Sequence, residues 1–276
     1  MGLRSILIPH DGSALSGAIA DSLGPLLTGA ESVTLLHVVE DARVDPEAEL
    51  AETERRLAAQ GVQVTRAKRT GTDPAGIIVD FASETRPDLV AMSTHGRGGV
   101  DRWIRGSVAE RVLRSSPVPI LMVNPRTHSG SKIASVLVPL DESATSVQVL
   151  ESLIPLSRPF GARLTLLFVD WDAATDTAAQ AARRREMRKR EVDEWLTGPM
   201  ARLAAEGIEA EVRIVHGDVA EQILRAAEPG AFDLLALSTH GRSGASRWLL
   251  GSVAEKVLGQ CRIPILLHRA RERERK

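Results

Sequence analysis

A chain of 276 residues is long enough for two domains of ordinary size, and 43% hydrophobic with 26% charged residues suits a buried core under a charged surface. Thirty-five basic residues stand against thirty-six acidic ones, so the formal net charge is -1 and no overall basic field offers itself to nucleic acid. A lone cysteine, Cys261, excludes an intrachain disulfide. No apolar run nears the roughly 20 residues that cross a bilayer, and the short run 6–8 stops at Pro9, too soon for an export signal. The expectation is a cytoplasmic protein with neither nucleic acid nor membrane as partner.

In chain order, ILIP at 6–9 reads as a buried strand and 16–27 as a helix. VTLLHVV (33–39) is a second strand, followed by a helix over 46–59 that ends at Gly61. VQVTRAKR (62–69) is a third strand, and 73–84 a helix with Pro74 in its first turn, where a missing N–H is harmless. DLVAMS (88–93) and PILMV (119–123) complete five strands. Short, nearly all-apolar strands alternating with helices imply a parallel sheet covered on both faces. The remainder repeats the series, with strands near 135–139, 163–169, 209–215, 233–238 and 263–267. A longer helical stretch, 178–205, carries ARRREMRKRE, a charge run that reads as a solvated helix face.

The repetition is explicit in the letters. STHGRGGVDRWIRGSVAERVL (93–113) and STHGRSGASRWLLGSVAEKVL (238–258) agree at 15 of 21 positions. SILIPHDGS (5–13) matches SVLVPLDES (135–143), and PVPILMV (117–123) matches RIPILLH (262–268). The second copy is longer between its second and third strands, where the charged stretch replaces 46–60. NPRTHSGSK (124–132) has the Pro, Gly and Ser of a connector. The expected division is a first domain over 1–125, a linker over 126–132, a second domain over 133–270 and a charged tail over 271–276.

In open α/β sheets ligands sit beyond the carboxyl ends of the strands. Two segments of each copy lie there. The first is Pro9-His10-Asp11-Gly12-Ser13, matched by Pro139-Leu140-Asp141-Glu142-Ser143. Asp11 and Asp141 can accept hydrogen bonds from a ribose or an adenine amino group; the competing reading is a turn or helix-capping aspartate. The second segment is Ser93-x2-Gly96-x9-Gly106-Ser107, repeated as Ser238-x2-Gly241-x9-Gly251-Ser252. Small residues let a backbone approach a ligand, and the last Gly-Ser opens a helix whose free N–H groups favour a phosphate. Arg97 and Arg242 can add positive charge. The alternative is that Ser107 and Ser252 are helix caps, each with a glutamate three residues on, Glu110 and Glu255.

His95 and His240 have no Cys or His neighbours at metal-ligand spacing and read as residues that orient the loop, so no metal site is expected. Trp103 and Trp248 read as packing residues. His37 faces Phe168 across the repeat and reads as a pocket-wall or core residue.

Taken together, the V-P-x-D type of opening, the STHGR loop, the G-x2-G-x9-G-S type of pattern and the closing P-I-L strand resemble the universal stress proteins. The resemblance covers both copies and nearly the whole chain. It implies two tandem Rossmann-like domains of the HUP type, similar to adenine nucleotide alpha hydrolases, each a five-stranded parallel sheet of order 3-2-1-4-5 with helices on both faces. It implies an adenine nucleotide, ATP above all, with magnesium held by the phosphates. Carried over by position, Pro9, Asp11 and Val38 would line the adenosine end in the first copy, as would Pro139, Asp141 and Val169 in the second. The phosphate end would take Ser93, His95, Gly96, Arg97, Gly99, Gly106, Ser107 and Val108, matched by Ser238, His240, Gly241, Arg242, Gly244, Gly251, Ser252 and Val253.

The fifth strand is the family's pairing edge, which a tandem chain can satisfy internally as a pseudo-dimer before two chains form a homodimer. Three departures stand out: serine at the first glycine position, Glu142 in place of Gly12, and His216-Gly-Asp218-Val219 in place of Gly71-Thr-Asp73-Pro74. The function expected is nucleotide-dependent regulation in a stress response, without a catalytic site. The rivals are a slow ATP hydrolase in the same pocket and a nucleotide-free interaction module. Against a nucleotidyl transferase, no paired histidines follow either first strand, and no Walker lysine motif is present.

Overall fold

The computed structural model describes residues 3–27, 30–40, 46–93, 107–123, 132–170, 178–239 and 251–270. In chain order these form β1 Ser5–His10, α1 Ala14–Gly17, α2 Ile19–Ser22, α3 Gly24–Leu27, β2 Ser32–Val39, α4 Glu47–Ala58, β3 Gln63–Thr70, α5 Pro74–Thr85, β4 Leu89–Ser93, α6 Ser107–Ser115 and β5 Ile120–Val123. The second copy follows with β6 Ser135–Leu140, α7 Val149–Ser157, β7 Arg163–Asp170, α8 Ala178–Ala205, β8 Ala210–His216, α9 Val219–Ala226, β9 Leu234–Ser238, α10 Ser252–Gln260 and β10 Ile265–His268.

All ten strands join one sheet of order β3-β2-β1-β4-β5-β10-β9-β6-β7-β8. Each half is parallel in the order 3-2-1-4-5, and the only antiparallel ladder among the described strands is the seam between β5 and β10. There Leu266 pairs with Leu121, flanked by Ile265 with Met122 and Leu267 with Ile120. The edge that each fifth strand would otherwise expose is used within the chain.

Side chains alternate between two cores, as strand geometry requires. Ile6 and Ile8 enter one layer with Leu35, Leu57, Phe168 and Leu196, whereas Leu7 enters the other with Leu36, Phe81, Val112 and Val257. Burial on both faces explains why the inner strands read as continuous apolar runs, while the edge strands β3 and β8 carry charged residues. Each layer takes residues from both copies: Leu121 and Leu266 lie in one, Met122 and Ile265 in the other.

Matching carboxylates fix how the strands begin. Asp88, ahead of β4, accepts from the backbone N–H groups of Arg4 and Ser5 at 2.8 and 2.9 Å, and Asp233 accepts from Ala134 and Ser135 at the same distances. These bonds hold the fourth strand of each half beside its first.

Three expectations need correction. The continuous helix over 16–27 is instead three short turns, α1, α2 and α3, broken around Gly17 and Gly24-Pro25. A Cβ on Gly17 would stand 2.8 Å from Thr53 Oγ1, so glycine here lets α4 pack close. Second, the two turns after the third strands align differently from the letters. The Gly71 N–H donates to the Val39 carbonyl and the Gly217 N–H to the Asp170 carbonyl, at 3.1 and 3.0 Å. Gly217, not His216, therefore takes the place of Gly71, and the second copy lacks a counterpart of Thr72.

The third correction concerns the serine caps. α10 begins at Ser252 itself, so this serine is a first helical residue rather than a cap; α6 likewise begins at Ser107. Glu110 pairs with Arg114 one turn on. The cap position of α10 is Gly251, which makes no side-chain capping bond.

Candidate functional site

At the carboxyl edge, each first strand runs into a tight turn built by its aspartate. Asp11 Oδ1 accepts from the Ser13 N–H at 3.0 Å and hydroxyl at 2.6 Å, and the Ser13 Oγ accepts from the Ser16 N–H at 3.1 Å. Asp141 repeats the pattern on Ser143 at 3.1 and 2.6 Å, and Ser143 on Ser146 at 3.0 Å. One oxygen of each carboxylate thus holds the turn, the local role weighed above for these aspartates. The turns need left-handed backbone at the next residue: Gly12 has φ 78° and Glu142 φ 63°.

His10, which the sequence did not single out, is buried in the first turn. Its Nδ1 accepts from the Gly12 N–H at 2.9 Å, which leaves the proton on Nε2 to donate to Thr53 Oγ1 at 3.0 Å. Thr53 passes its own proton to the Glu49 carbonyl at 2.8 Å. The chain fixes a neutral imidazole and ties the turn to α4. His37 is also buried, with Nδ1 donating to the His10 carbonyl at 2.8 Å, so it braces the same turn.

Val38 and Val169 occupy equivalent places near the ends of β2 and β7, both half-buried beside the core layer that holds Leu36 and Leu167. Pro9 and Pro139 pair with Leu36 and Leu167 in their ladders. Ser93 and Ser238 end β4 and β9 and are half-buried. Val108 and Val253 sit in the first turns of α6 and α10 and pack against the core. His95, Gly96, Arg97, Gly99, Gly106, His240, Gly241, Arg242 and Gly244, with Trp103 and Trp248, lie outside the described residues.

Of the glycines expected at the phosphate end, Gly251 is the one the structure describes. Its N–H donates to the Thr239 carbonyl, one residue beyond β9, at 3.3 Å, which brings the start of α10 against a strand end. Its φ of -59° and ψ of 146° suit any residue. Among the described residues, a Cβ there would meet nothing nearer than the Thr239 carbonyl at 3.8 Å. The backbone angles do not require a glycine here, nor does crowding by any described residue. A helix start whose cap residue has no side chain fits an anion approaching the first-turn N–H groups. The described residues hold no cluster of three or more His, Cys, Asp or Glu able to bind a metal ion.

At its mouth the second copy has charged side chains, Glu142 and Asp170, where the first has Gly12 and Val39. Arg188, on α8, donates through Nη1 and Nη2 to Glu142 Oε1 and Oε2 at 2.9 and 2.7 Å, and its Nε lies 3.8 Å from Asp170 Oδ1. The solvated-face reading of the charge run holds for Arg185, Lys189 and Arg190, which are exposed, but not for Arg188. The signal that could have found it was Glu142 itself, an acidic side chain where the first copy has glycine.

A profile of the universal stress protein family matches residues 2–124 and 132–269. Universal stress protein MJ0531 of Methanocaldococcus jannaschii is 46% identical over 50 residues, 18% of this chain and 29% of its own length. Universal stress protein Slr1230 of Synechocystis sp. is 26% identical over 197 residues, 70% of this chain and 63% of its own. The matched stretch thus spans less than two thirds of either relative. In fold, the crystal structure of a universal stress protein from Archaeoglobus fulgidus is similar with a TM-score of 0.68 at 22% identity, covering 97% of this chain and 96% of that one. With the family profile matched over both copies, and the same fold shared along nearly its whole length, the chain belongs to the universal stress protein family.

Proposed function

We propose that this chain binds adenine nucleotide, ATP in particular, at the carboxyl edge of each half, and acts by occupancy rather than by turnover. The observation that carries the reading is Gly251: a glycine that neither its backbone angles nor any described neighbour requires, at the start of a helix that abuts the end of β9. Across the edge, Asp141 at the end of β6 and Val169 near the end of β7 stand where a base and ribose would lie. The first copy offers Asp11 and Val38 at the matching strand ends, and its α6 begins at Ser107. In this reading magnesium arrives with the phosphates, since the described residues offer no carboxylate cage.

The test is to denature freshly purified protein, identify released nucleotide by mass, and titrate stripped protein with magnesium ATP by calorimetry. Between one and two ATP per chain, with no phosphate release on incubation, is the expected result. Phosphate release at a rate that saturates with ATP would move the reading to a slow hydrolase. No nucleotide and no heat would leave an interaction module.

A further inference from the structure

The mouths of the two candidate pockets share a left-handed turn but differ in the residue that fills it, in charge and in the helix between the second and third strands. Left-handed backbone is open to Gly12 but unfavourable for Glu142, which carries a Cβ. The glutamate is held there by Arg188, through a two-pronged, charge-assisted contact in which the side chains are only 17% and 16% exposed. Arg188 Nε is buried without a hydrogen-bond acceptor, and Asp170 Oδ1, at 3.8 Å, is too far to serve as one.

The placement follows from the length of α8. Its 28 residues span about 42 Å, whereas the 12 of α4 span about 18 Å. Only its second half is bound to the sheet, by Val192, Leu196 and Leu203. No residue from 179 to 191 is buried, so this first half has left the core, and Arg188 meets the carboxyl edge from it.

Glu142 directly follows Asp141, and Asp170 directly follows Val169. One guanidinium therefore bridges the two strand ends that offer the adenosine contacts. The matching residues of the first copy, Gly12 and Val39, cannot carry such a bridge.

We propose that the Glu142–Arg188–Asp170 bridge is a latch across the mouth of the second pocket, which makes the two copies bind adenine nucleotide unequally, the first more tightly. The inference rests on the nucleotide reading above. A ligand entering the second pocket must displace a paired, half-buried fork or settle beneath it, and an anionic ligand also meets Glu142. Entry to the first pocket meets no such bridge at the matching positions, Gly12 and Val39.

The experiment titrates the stripped full chain with magnesium ATP in four forms: native, Gly106→Val, Glu142→Gly, and Glu142→Gly combined with Arg188→Gln. The native chain is expected to show one tight site and a second about tenfold weaker or more. Gly106→Val should remove the tight site and leave the weak one. Glu142→Gly should raise the weak site about tenfold without changing the tight one, and the double variant should do no more, because both changes open the same bridge. Glycine in the same turn of the first copy indicates that Glu142→Gly folds, which circular dichroism checks.

Two equal sites in the native chain overturn the latch and leave the nucleotide reading standing. So does a second site that stays equally weak or absent once the bridge is gone. No binding by any of the four overturns the nucleotide reading, and the latch with it.

Discussion

Asp73 and Asp218 do two things at once. Each caps a helix, accepting from the Gly76 N–H at 3.2 Å or the Glu221 N–H at 3.0 Å, and each meets a cation on the next helix, Arg111 at 2.6 Å or Lys256 at 3.2 Å. Arg111, then the Gly76 N–H, hold the Asp73 carboxyl below its ordinary value of 3.8; the Glu221 N–H, then Lys256, do so for Asp218. A depressed carboxyl pKa stabilises the fold above the unfolded value and ceases to do so as pH falls through the folded one. We expect Asp73→Asn with Asp218→Asn to lower Tm at pH 7 and to make the loss of stability below about pH 4 shallower. A native-like acid limb in the double variant would deny the pair this role. Cys261 works in the opposite direction. Burial pushes its thiol up to about 11, so at pH 7.5 the native protein should not react with a disulfide reagent, and should do so once unfolded. Because the unfolded chain gives up this proton first, the same burial removes stability as pH climbs toward 11.

The residue scale is also where the sequence was least informative. Asp11 and Asp141 were legible as strand-end carboxylates, because an aspartate after an apolar run and before a serine has few other places to be. Arg188 was not. Periodicity assigns a charged residue to a helix, but which partner it meets depends on how far that helix outruns the sheet, and no spacing within ARRREMRKRE encodes this.

Among the elements, the inner strands were readable because burial on both faces makes them apolar nearly from end to end, whereas β3 and β8, at the sheet edges, carry charged residues and bury none of their residues fully. The helices were readable where one apolar stripe sufficed, as in α5, and misread where glycine was present for closeness rather than for a turn, as at Gly17. α8 shows how a long helix with little apolar surface is held. Trp195 meets Phe168 edge-on, with ring centroids 5.9 Å apart and planes at 81°, close to the Val192 and Leu196 contacts. Phe168 is only 1% exposed and occupies the place of His37 in the first half. We expect Phe168→Ala to cost about 3–5 kcal/mol in urea unfolding, since it removes a buried ring and the anchor of α8 together. Because Arg188 lies on the same helix, the variant should also loosen the Glu142 contact, which hydrogen exchange over 185–196 would report as faster exchange. Unchanged exchange there would mean that the polar bridge holds the helix without the rings.

For the whole molecule, the question is whether two copies of one fold behave as two domains or one. Duplication in the letters suggested two units with a short connector, and a strand-to-strand seam followed from the resemblance. What the letters could not show is that both core layers run through the seam: Leu121 with Leu266 on one side of the sheet, Met122 with Ile265 on the other. Apolar contact on both faces of a short ladder couples the halves more strongly than a flexible linker would. The native chain is therefore expected to unfold in a single transition, coincident by far-ultraviolet circular dichroism and by tryptophan fluorescence. Leu121→Asp places a carboxylate where the residue is 1% exposed and its partner Leu266 is fully buried, so the seam should open before either half melts. In that variant we expect two separated transitions and a fall in the first midpoint. Two transitions already present in the native chain would show instead that each half carries its own stability and that the seam only aligns them.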